Sequence, residues 1–458
     1  MSGKTVNQHK RMTETPIPRL IAELSIPTIA SMLVTSVYNM ADTYFVSHLG
    51  ESATGAVGIV FSVMAIIQAV GFTLGMGSGA QISRLLGQKD QEKAEIVAVS
   101  SFVAALLFGL LITVVGLAFV DPLMLLLGAT NTILPYARDY AGYIFFGAPI
   151  MAASFVLNNI LRAEGHATFS MIGITAGGIL NIVLDPIFIF VLGLGTAGAA
   201  IATLLSQCIS FAILFGFFLA GKSVVKLNVR KVSRRGIIYL DTVRTGMPSL
   251  CRQGLATVAT VALNTAAKPY GDSAIAAMSV VGRVFMLLMS VLIGFGQGYM
   301  PVIGYNYGAQ RYDRMRESLV FTLKTGIGAM AVLASCCAFA APNIMGLFGN
   351  DPDMLKIGTF AIRAQCVGLL IQPIGTFSNM TFQSVRQAGK ATFLSACRQG
   401  IYFLPLILIL PGKLGLLGVE IAQPLADIMT SLTALPMIIL FYRALRREEQ
   451  QHQENSAT

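Results

Sequence analysis

Charge is scarce in this chain. Only 12% of its 458 residues are Asp, Glu, Lys or Arg, 55% are hydrophobic, and the mean hydropathy is +0.70. A soluble domain needs more surface charge than that, so an ordinary globular enzyme or binding module is excluded. The six cysteines (Cys208, Cys251, Cys336, Cys337, Cys366, Cys397) all fall inside apolar segments. They read as small buried hydrophobes, neither a disulfide framework nor a zinc site. The four histidines have no metal-ligand spacing. No phosphate-binding glycine loop and no nucleophile motif occurs, which leaves ATP-driven transport and enzymatic catalysis without support.

What the chain has is long apolar runs. Residues 101–120 form one membrane-length segment, and 186–221 hold no charge at all, enough for two spans around "GLGTAG". Roughly 20 apolar residues cross a bilayer as a helix. Only helices and closed barrels can do so with every backbone group satisfied, and these runs lack the alternation of barrel strands. The first apolar segment is too long for a signal-peptide core and has no small-residue cleavage site, so it counts as a span. Apolar runs and breakers give about twelve spans, near 20–47, 53–80, 96–120, 133–160, 167–191, 197–220, 240–266, 274–300, 317–341, 355–384, 391–411 and 416–442.

The formal net charge of +10 collects in alternate connections: "RLLGQKDQEK", "RAEGH", "KSVVKLNVRKVSRR", "RYDRMR", "RQAGK" and both termini. The opposite connections hold at most one lysine each. The positive-inside rule makes the first set and both termini cytoplasmic in a multi-pass inner or plasma membrane protein. The basic excess is therefore topological and implies no nucleic-acid partner. An anionic lipid at the central linker is compatible but unneeded, and a monomer suffices.

The chain also repeats itself. At an offset of 221, Pro27, Gly50, Ser52, Gly75, Gly77 and Gly87 meet Pro248, Gly271, Ser273, Gly296, Gly298 and Gly308. "RAEGHATF" (162–169) matches "RQAGKATF" (386–393) at an offset of 224. Six spans per unit is an even number, so the repeats run parallel. Transporters built this way hold their cavity between the halves. The expected fold is an all-α polytopic membrane protein: twelve transmembrane helices as two parallel six-helix repeats around a central cavity. The expected divisions are an N-lobe at 1–221, a basic linker at 222–239, a C-lobe at 240–446 and a tail at 447–458. Pro27 and Pro248 lie early in equivalent spans, where proline removes a hydrogen bond. Each either bends for function or packs as a static kink.

Residues shared by the halves report architecture, so function should lie in those not shared. Asp42 aligns with Leu263; at the later offsets Asn181 and Asp185 fall opposite Pro405 and Ile409, and Thr203 opposite Gln423. Asn181 and Asp185 are one helical turn apart on one face. Asp42 and Asp185 sit about five and six residues from the outer ends of their spans, at similar depth. That permits one site of two carboxylates, an amide and a hydroxyl. Neighbouring carboxyls in a low-dielectric setting hold a proton as a unit, and the same oxygens suit Na⁺. Intramembrane acids are functional candidates; the alternative is a helix-terminal carboxylate reaching water. The second half carries Arg252, Arg283 and Arg398 inside its spans, with Asp427 and Glu420 as available partners. These arginines either form structural ion pairs or line a cavity that attracts an anionic substrate group.

"ADTYFVSHLG" after a proline-bearing first span, "GMGSGAQISRLLGQKD", "RAEGHATF" and "LNIVLDPIFIF" together resemble the multidrug and toxic compound extrusion (MATE) family over residues 15–445. The resemblance implies no enzyme and no cofactor, but an antiporter exporting small organic compounds, often cationic and amphipathic, in exchange for H⁺ or Na⁺. It implies a cation site at Asp42, Asn181, Asp185 and Thr203 and a first helix that bends at Pro27. Residues 245–267 and 355–385 contain no Asp or Glu. In those spans NorM-like members carry carboxylates, so the C-lobe looks DinF-like. The rival readings are an exporter of one anionic metabolite and a flippase of a lipid-linked precursor.

Overall fold

Every expected span is a helix, and most run past the apolar segment that announced them. In this computed structural model residues 3–349 and 351–457 are described, and they contain no strand. After α1 (Gly3–Glu14), the first half runs α2 (Ile17–Ser47), α3 (Glu51–Gly87), α4 (Gln91–Ala118), the short α5 (Val120–Leu126), α6 (Leu134–Ala163), α7 (Ala167–Pro186) and α8 (Gly195–Leu219). The second runs α9 (Gly236–Ala267), α10 (Asp272–Gly308), α11 (Tyr312–Gly346), α12 (Pro352–Ser384), α13 (Ala388–Ala396), α14 (Leu404–Leu414) and α15 (Leu416–Ala457). π-helical turns at Ile187–Val191 and Cys397–Phe403 extend α7 and join α13 to α14. Eleven spans, with α13 and α14 taken as one, are long and apolar enough to cross a membrane. α9 is the twelfth; Arg252, Gln253 and Asn264 dilute its apolar run. α15 continues through Ala457 because its polar end is rich in the helix formers Arg, Glu and Gln.

The turns repeat as closely as the helices. Gly50 and Gly271 lead into α3 and α10 with φ of 105° and 89°, a conformation a side chain would strain. Lys89 and Gln310 are both left-handed (φ 62° and 56°), as are Gly165 and Arg386 (85° and 69°). Asn158 donates to the Ser170 carbonyl, and Asn379 likewise to that of Ala391. Each of these pairs is 221 residues apart.

The 224-residue offset read from "RAEGHATF" is therefore corrected. The matching letters slide by three while the loop geometry holds at 221. Beyond the π turns, Gly198 and Gly418 approach the carbonyls of Phe188 and Leu410, a pair 222 apart. In that register Asn181 and Asp185 lie opposite Phe403 and Ile407. Those two are buried, whereas Pro405 and Ile409 are exposed.

The chain forms two compact units that exchange segments. Residues 1–12 and 26–246 make the first, and 13–25 with 247–458 the second. In the first, α6 packs against α3, α4 and α8; in the second, α12 packs against α10, α11 and α15. The repeated glycines serve the exchange. A Cβ on Gly77 would strike the Thr242 carbonyl, and one on Gly298 would strike the Ser25 backbone. The exchange points, 25/26 and 246/247, fall just before Pro27 and Pro248.

The linker is strapped to the first unit. Glu164, fully buried after α6, accepts hydrogen bonds from Ser223 Oγ (2.7 Å) and from the amides of Val224 (2.9 Å) and Val225 (3.0 Å). Lys231 Nζ pairs with Glu95 at 2.5 Å, and Ser100 Oγ accepts from the Ser233 amide. Asp90 caps α4 through the Lys93 amide (3.1 Å), and the Lys93 ammonium holds its carboxyl below the ordinary carboxylate range.

Candidate functional site

Two consecutive glycines bring the first-half candidates together. On α7, Gly177 faces Ser206 and Ser210 of α8, while Gly178 faces Val34 and Tyr38 of α2. Without Cβ atoms there, both neighbouring helices come close. One to two turns further along, α2 supplies Asp42, α7 supplies Asn181 and Asp185, and α8 supplies Thr203.

Asp42 is 5% exposed and Asp185 fully buried. Asn181 Nδ2 donates to Asp185 Oδ1 (3.1 Å) and reaches Thr203 Oγ1 (3.3 Å). Tyr140 on α6, fully buried, interacts electrostatically with both carboxylates. Four buried oxygens are left without a hydrogen-bond partner: Asp42 Oδ1, Asn181 Oδ1, Asp185 Oδ2 and Tyr140 Oη. Neither carboxylate joins an ion pair among the described residues. An orphaned buried polar group costs about 1–3 kcal/mol, more when charged. Two bare carboxylates cannot persist there without a neutralising partner. The cluster thus fits protons or a hard cation, and its all-oxygen donor set suits an ion such as Na⁺.

The structure brings Asn181, Asp185 and Thr203 into one hydrogen-bonded set, with Asp42 and Tyr140 within electrostatic range of Asp185. Sequence reasoning missed Tyr140, although the test that singled out Asp42 would have found it: its counterpart at 221 is Ala361. In the second half the cluster becomes Leu263, Ala361, Phe403, Ile407 and Gln423, apolar except for the last.

The second unit places its polar groups elsewhere. Arg252 and Arg398 line a small, partly open cavity together with Gln372, Asn379, Gln399 and Met289. Arg398 Nε donates to Asp427 Oδ1 (2.9 Å), and this fully buried carboxylate also accepts from Gln365 (3.1 Å) and Gln423 (2.9 Å). Arg283 is exposed and does not line the cavity. Glu420 is buried but joins no ion pair among the described residues. Two of the three expected arginines, and one of the two expected acids, thus come together.

The MatE family profile matches the chain twice, over residues 27–187 and 248–409. The matches begin at Pro27 and Pro248 and follow the structural register. The chain belongs to the MATE family. It is 29% identical over 429 residues to the multidrug export protein MepA of Staphylococcus aureus (strain MSSA476), covering 93% of this chain and 94% of that protein. A solved multidrug resistance MATE transporter of the MOP superfamily in an outward-facing conformation superposes with a TM-score of 0.91 at 29% identity, covering 95% of this chain and 98% of that one. A MATE in a bent conformation superposes at 0.89 and 29% identity, over 98% and 99%. This MATE protein is accordingly a multi-span membrane transporter of a multidrug efflux family, not an enzyme.

Proposed function

We propose that this MATE protein is a secondary antiporter that exports organic, amphipathic or cationic compounds in exchange for H⁺ or Na⁺. The observation that carries the reading is the pair of buried carboxylates, Asp42 and Asp185, each with an unpartnered oxygen and in no ion pair among the described residues. A cation or proton fills that need directly. Asn181 and Thr203 orient Asp185, and Tyr140 stands where it senses both acids.

The coupling is competitive. Neutralising the acids and loading the drug oppose each other, and by linkage each weakens the other by the same factor. α2 carries Asp42 and also Pro27, whose missing N–H leaves one unclosed turn; the Pro27 carbonyl still accepts from Ser31 Oγ at 2.9 Å. A bend there moves Asp42 relative to α7, which connects cation occupancy to helix shape. The basic connections, both termini and the strapped linker face the cytoplasm, and the protein works as a monomer without a bound cofactor.

The test is uptake into proteoliposomes of ethidium, as a cationic probe, under an imposed ΔpH with the lumen acidic and separately under an outward Na⁺ gradient. Wild-type protein responds to one of the gradients. Asp42→Asn and Asp185→Asn each abolish that response while reaching the membrane in normal amount. Full gradient-driven uptake by both variants would sink the assignment.

A further inference from the structure

The second-half cavity has chemistry of its own, unlike that of the acidic cluster. Two guanidinium groups, Arg252 and Arg398, line one space and oppose each other electrostatically. Asp427 offsets the charge of one of the two arginines through Arg398 Nε. Arg398 Nη2 is buried and has no hydrogen-bond partner, although its side chain is only 15% exposed. Arg398 Nε is held by Asp427, and Arg398 Cζ lies over the Phe285 ring, 5.6 Å from the centroid. The guanidinium is thus oriented with one donor uncommitted.

Gln372 and Gln399 also line the space, each with a buried amide oxygen lacking a donor. Amide oxygen and nitrogen are interchangeable on geometry, so each can present an N–H instead. Met289, Ile293 and Leu394 supply apolar wall. A fork of arginine donors, flanking amides and a greasy side matches a carboxylate head on an apolar body.

We infer that this cavity is a binding site for the carboxylate of a monoanionic amphiphile, with Asp427 as a built-in competitor for Arg398. Asp427 is also secured by Gln365 and Gln423, so it retains partners when the ligand draws on Arg398. The arginines and Asp427 have no ionisable counterparts in the first half: Arg252, Arg398 and Asp427 correspond to Ser31, Gly177 and Gln207. The site is separate from the Asp42–Asp185 cluster and does not rest on the antiport reading.

The competitor makes the test two-signed. Dansylglycine, a fluorescent carboxylate, and its neutral isostere dansylglycinamide are titrated against the full chain in phosphatidylcholine nanodiscs, with empty discs subtracted. The acid binds roughly tenfold more tightly than the amide, the factor expected for one charge-assisted hydrogen-bond pair. Arg398→Gln and Arg252→Gln each remove that preference. Asp427→Asn, which removes the carboxylate competing for Arg398, strengthens acid binding several-fold and leaves amide binding unchanged. If one arginine variant is not monodisperse, the other carries the comparison together with Asp427→Asn. Equal binding of acid and amide, a preference surviving loss of either arginine, or weaker acid binding by Asp427→Asn would each overturn the proposal. No cation gradient enters this measurement, so its outcome is readable whether or not the coupling assignment holds.

Discussion

The two halves share turns, glycines and helix order, yet they place charge in opposite ways. The first half buries two acids, Asp42 and Asp185, that join no ion pair among the described residues. The second buries a cation and an acid together, Arg398 and Asp427 at 2.9 Å, with Arg252 nearby on the cavity wall. The backbone therefore demands neither arrangement, because each half folds without the other's charges. A buried acid left unneutralised by the protein is available to an ion from solution, whereas a paired one is already occupied. Duplication kept the scaffold and let the two copies diverge in buried charge.

The sharpest break in that comparison is to make the halves alike. Asp42→Leu installs the residue of the second half at a site whose oxygen has no partner. Gradient-driven uptake drops to background while thermal stability holds or rises, which a thermal scan beside a flux assay would show. Unfolding of this variant would instead make Asp42 structural. The reverse change, Leu263→Asp, adds an acid without companions and costs about 2.5–3.5 kcal/mol at insertion, seen as lower membrane yield with no new cation dependence.

A smaller effect separates the halves at the linker. Glu164 holds three linker groups, whereas its counterpart in the 221-residue register is Val385, whose side chain can accept no hydrogen bond. Glu164→Gln weakens charge-assisted bonds worth about 1.5–3 kcal/mol each, so trypsin cleaves after Lys226 several-fold faster in folded protein. The smallest difference lies at a helix start. Asp90 caps α4, but its counterpart Arg311 gives α11 no side-chain cap. Asp90→Ala costs about 1 kcal/mol and leaves transport unchanged.

Much of this was legible before any coordinates. Span positions follow from apolar runs because the bilayer allows few alternatives, and the repeated glycines followed from a simple offset. Asp42 and Asp185 stood out because their counterparts are uncharged. The letters misled where chemistry and geometry part company: "RAEGHATF" and "RQAGKATF" match as text, but the turn they flank keeps its own 221-residue spacing. π-helical turns insert residues without changing hydropathy, so the true partners Phe403 and Ile407 were not readable. Tyr140 was missed because a tyrosine in an apolar span carries no charge penalty to attract notice. Glu164 was missed for the opposite reason, since an acid in a polar loop looks like surface until its three donors are seen. The fate of each arginine depended on helix rotation, which a charge in a weakly periodic span does not report.

The exchange of 13–25 and 234–246 between the compact units has a historical consequence. A lone six-helix ancestor would have lacked the opening turns that complete its own fold, because those turns come from the other copy. Either half expressed alone is therefore expected to need those turns supplied by a second copy, as in a swapped homodimer.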